Sequence, residues 1–197
     1  MSHLSPLGRR GFAGPMLSIV CMLSAGLTAE QNPFRKLLGG DKTSYQTFKD
    51  PAGRFEIEYP TKDWRLLPSG GSSLAVFARN DGPALFIDHI KLVDRLTPGE
   101  IDAMPEMELG RLKDQQPKGK DFKSDMFDTK AGHGVLIRYS RMGTGPESVM
   151  QYSIPVGQDL FRLNGVVPEK LLSKYEAIII HMIESFKAPA EPSAPKN

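Results

Sequence analysis

Seven runs of alternating or apolar residues follow one another along this chain, several of them joined by short turn sequences. They span residues 54–59, 74–79, 85–92, 122–128, 134–142, 148–154 and 160–166. In the first, Phe55, Ile57 and Tyr59 alternate with Arg54, Glu56 and Glu58, the period-2 pattern of a half-buried strand. Pro60 ends that run because proline cannot donate to a ladder. Asn80-Asp81-Gly82-Pro83 and Gly143-Thr144-Gly145-Pro146 supply turn chemistry between runs. Joints this short make sequential strands antiparallel, since a parallel neighbour needs a crossover of a dozen residues or more.

Two segments carry helical rather than strand periodicity. Thr97-Pro98-Gly99-Glu100 combines a capping threonine, a proline in the first turn and Glu at N3, a capping-box start. Ile101, Met104 and Leu112 can share the buried face of the helix that follows, and Pro105 predicts a kink or break within it. After Pro168, Leu171, Leu172, Tyr175, Ile178, Ile179, Met182, Ile183 and Phe186 recur at helical spacing. Ile180 and His181 are predicted to lie off that stripe.

The ends of the chain differ from its middle. Residues 1–29 contain Arg9 and Arg10 but no acid, and an apolar run follows from 16 to 27. That is the pattern of an export leader cleaved after Ala29; Arg9-Arg10-Gly11-Phe12 also fits the twin-arginine form. The apolar run is too short to span a hydrocarbon core of roughly 30 Å as a helix. Residues 30–44 read as a linker, 45–187 as one folded domain, and 188–197 as a Pro/Ala-rich tail without fixed structure. The chain has 25 Lys and Arg against 23 Asp and Glu; without the leader the balance is 23 to 23. A formally neutral domain lacks the electrostatic footprint that nucleic acid attracts, so general nucleic-acid binding is not expected. Cys21 lies inside the apolar run, so a cleaved chain would hold no cysteine for a disulfide or a thiolate site.

Phe48, Asp50, Gly53, Phe55, Ile57, Tyr59 and Pro60, followed by Trp64, give the chain an opening that resembles the PsbP-like, Mog-type family. The order of elements over residues 45–187 is similar too. That resemblance implies an α+β fold, an α/β/α sandwich with a central antiparallel sheet. It also implies non-enzymatic surface binding, with another protein or an envelope complex as partner; the leader pattern is what sets that role outside the cytoplasm. An extrinsic photosystem II subunit is a second reading. The matched residues are turn, strand and core positions, so they carry a scaffold rather than a site.

Chemistry-bearing residues are sparse. His89, His133 and His181 have no partners at metal-ligand spacing, and Asp88 and His89 are strand neighbours that point to opposite faces. His133 is expected in a turn with its ring exposed, and His181 is expected to be solvated. A hydrolase or metal-dependent enzyme, the third reading, would need a pocket that gathers His89 with carboxylates. Ser69-Gly70-Gly71-Ser72-Ser73 is not a nucleophile elbow, and no phosphate-binding or dinucleotide fingerprint occurs. No cofactor is therefore expected. Arg111, Lys113, Lys118, Lys120 and Lys123 crowd the segment after the first helix, and with His133 they are the candidate partner-binding residues.

Overall fold

A computed structural model of the chain describes residues 43–69 and 73–189. The expected leader with Cys21, most of the linker, the connection over 70–72 and most of the tail lie outside the described residues. Nine strands and two helices are assigned within them. A two-stranded antiparallel ribbon is made by β1 (Tyr45–Lys49) and β2 (Glu56–Pro60). The main sheet holds β3 (Trp64–Leu67), β4 (Ser73–Arg79), β5 (Ala84–Lys91), β6 (Lys120–Thr129), β7 (Gly132–Met142), β8 (Pro146–Val156) and β9 (Asp159–Pro168). Their spatial order is β3-β4-β5-β9-β8-β7-β6, with antiparallel pairing throughout. Two meanders are thus joined edge to edge at β5 and β9. Helix α1 (Pro98–Gln115) connects them, and α2 (Leu172–Ser185) follows β9 through a single 3-10 turn. The α+β architecture expected from the sequence is present, with α1 on one face of the sheet and α2 on the other.

The opening block folds differently from a first strand of the meander. Gly53, at φ +70°, closes a turn that Asp50 fastens: its carboxylate accepts from the Arg54 main-chain N–H and takes a two-pronged grip from the Arg54 guanidinium at 2.7 and 2.8 Å. The resulting ribbon lies on the α2 face as a separate unit. Phe55 and Ile57 point into the core, and Glu56 exchanges main-chain hydrogen bonds with Lys187 beyond α2. Both β1 and β3 escape sequence periodicity because they are short and largely exposed at the margins.

The α2 face holds the larger core. Phe77, Ile87, Tyr152, Ile154, Phe161 and Leu163 from the sheet meet Tyr175, Ile179, Met182, Ile183 and Phe186. Phe186 stacks on Phe55 at 5.6 Å between ring centroids. Two expectations are corrected here. Ile180 packs against this core instead of standing away from it, because the ribbon covers the flank of α2 that a lone helix would expose. His181 is held for the same reason: its Nε2 lies 3.0 Å from Glu58 Oε2, and its ring lies 4.0 Å from that of Tyr45.

The break that Pro105 allows in α1 is absent: the helix runs unbroken through it. The proline removes one main-chain bond. Both flanks are nonetheless held, by the Thr97/Glu100 capping box at the start and by Met104, Glu108 and Leu112 buried on the sheet. A cap and a tertiary contact on each side outweigh the loss of one bond.

The approach of α2 to the sheet depends on Gly165. A Cβ built there would stand 2.3 Å from Ile179 Cγ2. Gly165→Ala is expected to lower unfolding stability by about 1–3 kcal/mol through overpacking. Gly110, in the exposed part of α1 with open space around it, gives the opposite sign: Gly110→Ala is expected to add about 0.5–1 kcal/mol. Urea unfolding of the two variants beside the parent checks both signs.

Candidate functional site

The α1 face of the sheet carries most of the polar side chains that the fold encloses. Along β8 and β9, residues that face α1 alternate with residues that face α2. Val149, Gln151 and Ser153 therefore share a face with Leu160, Arg162 and Asn164. In the ladder Gln151 lies opposite Asn164, and Ser153 opposite Arg162. Helix α1 lowers Glu108 onto this patch from the same stripe as Met104 and Leu112. Its Oε1 accepts from Arg162 Nη2 at 2.8 Å. Its Oε2 accepts from Arg111 Nη2 at 2.8 Å, Ser153 Oγ at 3.0 Å and Gln151 Nε2 at 3.2 Å.

The Glu108 side chain is only 9% exposed. Burial pushes its carboxyl up, but hydrogen bonds from Arg111 and Arg162 and the charges behind them outweigh burial and hold it below the ordinary range. Arg162 Nε is buried without a hydrogen-bond partner among the described residues. Two cations, one carboxylate, Gln151 and Ser153 meet between flanking apolar residues such as Met104, Leu112 and Leu160, so orientation is fixed more firmly than by apolar contact alone.

The polar seam continues into β5 and β4. Asp88 accepts from Ser73 Oγ at 2.7 Å and from Asn164 Nδ2 at 3.1 Å. Beyond the last turn of α1 the seam opens into a cleft of about 290 Å³. Phe86, Val149, Val166 and Leu112 give it apolar walls, while Asp88, Gln115, Gln116, Tyr139, Arg141 and Asn164 offer polar groups. Arg141 is held by Glu147 at 3.0 Å. Burial pushes the Tyr139 phenol up, and its ring stacks on Phe122 at 5.0 Å. Such a lining suits recognition of a polar chain or small solute by hydrogen bonds over an apolar floor. A second cleft, of about 370 Å³, lies between the Asp50–Arg54 turn and β3, and is lined by Phe48, Leu66, Leu67 and Leu74 among others.

The candidate residues from sequence do not converge. Arg111 turns inward to Glu108 and Gln115. Lys113, Lys118 and Lys120 are exposed around the end of α1 and the start of β6, and Lys123 stands on the outer strand of the sheet. His133 is at the far end of β7, some 25 Å along the β6–β7 ladder from Lys120 by strand rise. Its ring is exposed as expected and pairs with Asp128, but the residue is corrected from a turn to the strand β7, because the turn closes at Lys130 and Ala131 and the ladder begins at Gly132. His89 faces α2 instead of the cleft; Nε2 lies 2.8 Å from Asp159 Oδ1 and the ring packs on Phe161. Asp88 faces the cleft, confirming that the two neighbours part to opposite faces. Among the described residues no group of three or more His, Cys, Asp or Glu is placed to hold a metal ion.

The seam itself had a sequence signal that residue-type motifs do not capture. Arg162 and Asn164 fall in phase with Leu160 and Val166, and Glu108 falls in phase with Met104 and Leu112. Polar residues set in phase with core positions of a covered strand or helix mark a buried network.

A large antiparallel sheet with a helix on each face makes a PsbP/Mog-like α+β fold. Solved structures share that fold. A cyanobacterial PsbP (CyanoP) from Synechocystis aligns over 77% of this chain and 96% of its own, with a TM-score of 0.57 and 14% identity. LpqN from Mycobacterium tuberculosis, described as involved in cell envelope biogenesis, aligns over 77% and 88%, with a TM-score of 0.51 and 17% identity. A Bacteroides thetaiotaomicron structure aligns over 74% of this chain and 49% of its own, with a TM-score of 0.50 and 15% identity. No protein-family model matches the chain, and no characterised protein matches it by sequence. At these identities the likeness is one of fold.

Removing the carboxylate at the centre of the seam leaves two arginines facing each other. Glu108→Gln is expected to cost roughly 3 kcal/mol at pH 7. The folded-state pKa lies below the unfolded one, so the stabilisation is complete above about pH 4.5 and is lost as pH falls through the folded value. The stability gap between parent and variant should therefore narrow toward pH 3. Urea titrations at both pH values test this.

Proposed function

We propose that this chain is an exported, non-catalytic binding module that recognises an acidic segment of another protein at the open end of the α1 cleft. The observation that carries the reading is the position of the lysines. Lys113 stands on the helical turn that supplies Leu112 and Gln116 to the cleft wall. Lys118 follows two residues later, and Lys120 lies opposite Ser140, between Tyr139 and Arg141 of the same wall. All three are exposed, whereas Arg111, the remaining cation of the helix end, is spent on Glu108. A rim of solvated ammonium groups around hydrogen-bonding side chains suits an extended acidic strand or loop.

His89 and His181 each pair with one carboxylate, Asp159 and Glu58, on the α2 side of the sheet and away from the α1 cleft, so the recognition surface is read from the lysine rim and the hydrogen-bonding lining of that cleft. Export is supported by the basic and apolar pattern of residues 1–29, and no helix among the described residues is long and apolar enough to cross a membrane.

Crosslinking in the native envelope is the direct test. The parent chain is expected to yield an adduct through the α1 end, and the triple reversal K113E/K118E/K120E is expected to lose it while keeping the parent's melting profile. The same adducts at the same yield from the reversed protein would overturn the assignment.

A further inference from the structure

The outer edge of β6 carries a pattern that reads the same against itself. Strand β6 ends the main sheet, and among the described residues β7 is the only strand whose ladder it joins. Open edges are ordinarily guarded by lysines, which repel a second copy, or by bulges. A bulge is present at one end, where the register shifts between Lys120 and Lys123 and Asp121 takes φ +56°. From Lys123 onward the strand is regular, Phe122 closing the bulge. There the sequence Lys123-Ser124-Asp125 alternates sign instead of repeating one charge.

We infer that two copies of this chain associate through antiparallel pairing of their β6 edges about a two-fold axis at Ser124. Antiparallel partners share a face only when their residue numbers sum to an even value. With the axis at Ser124 that sum sets Lys123 opposite Asp125 twice, on the α2 face. On the α1 face it brings Met126 of each copy beside Phe122 of the other, at the border of the bulge, within reach of a sulfur–aromatic contact. Slipping by two residues in either direction sets Lys123 against its own copy or Asp125 against its own copy. One register is thus favoured and its neighbours are penalised.

The side chains are available for this exchange. Lys123 is exposed and makes no ion pair among the described residues, and Met126 is 46% exposed. Asp125 is two-thirds exposed, with only Arg138 near it at 3.8 Å. Phe122 already stands on Tyr139, so its ring is oriented before association. The contact is isologous and closes on itself, producing one continuous sheet across two protomers rather than a filament. It adjoins the α1 cleft at Lys120, but it rests on the strand edge alone and stands independently of the function proposed above.

Charge exchange on one strand supplies the test. Sedimentation velocity of the full chain, at concentrations up to about 1 mM where even weak pairing registers, is expected to show a monomer–dimer equilibrium. K123D places two carboxylates opposite each other and D125K two ammonium groups, so each alone should weaken association by about tenfold or more. The double variant K123D/D125K should restore it. An equimolar mixture of the two single variants should form a heterodimer, which also shows that each is folded. In a Cys21→Ser background, Ser124→Cys should oxidise to a covalent dimer, because directly opposed residues on neighbouring strands lie within disulfide reach. Thr129→Cys should not. A parent chain that stays monomeric throughout, single variants that dimerise as well as the parent, or equal crosslinking at both positions would overturn the inference.

Discussion

The fold turns on how closely α2 can lie on β9. At Gly165 the helix approaches the strand within side-chain contact of Ile179, and that approach lets Tyr175, Met182 and Ile183 reach the sheet. The ribbon then has something to lean on. Phe55 and Ile57 close against the same cluster, and Lys187, just past the helix, pairs with Glu56. Without the close contact, α2 would ride higher and the ribbon would lose both its floor and its main-chain tether. The main sheet supplies the surface, but the glycine sets the distance at which the second layer can pack.

The two faces of the sheet are built on different principles. The α2 face is closed by aliphatic and aromatic contact, with Phe161 touching Phe55 and Phe186. The α1 face is held at its centre by Glu108 and two arginines, and apolar contacts flank them. Apolar packing tolerates sliding, whereas a carboxylate gripped from two directions does not. A helix seated this way presents its last turn, and the cleft beside it, at a fixed place relative to the sheet. That is useful for recognition and costs stability relative to an all-apolar seat.

Strand order along the chain was legible because seven of the nine strands carry alternation or turn punctuation at their ends. The PsbP-type arrangement followed from the Phe48–Trp64 stretch together with the helix positions. What escaped notice had physical causes. Tyr45–Lys49 and Trp64–Leu67 are short marginal strands whose burial depends on neighbours far away in sequence. Pro105 was read by its local effect, while the capping box and the buried Glu108 stripe hold the helix on both sides. His181 and Ile180 were judged on an isolated helix, and the ribbon that covers them is a tertiary fact. For the site, residue-type motifs point to the cations around the end of α1, of which Arg111 and Lys113 lie in its last turns. They missed Glu108, Arg162 and Gln151, which stand out only when polar residues are counted by strand and helix phase.

The pairing of β5 with β9 has a kinetic consequence. Strands β6 to β9 are linked by short turns and can zip in sequence, but Ala84 meets Val166 only after some eighty intervening residues have been spanned. The first three strands of the sheet therefore lack their inner neighbour until nearly the whole domain has been synthesised, and the ribbon waits longer still for α2. Hairpins among β3, β4 and β5 can form locally, but their docking onto the rest of the sheet waits for β9.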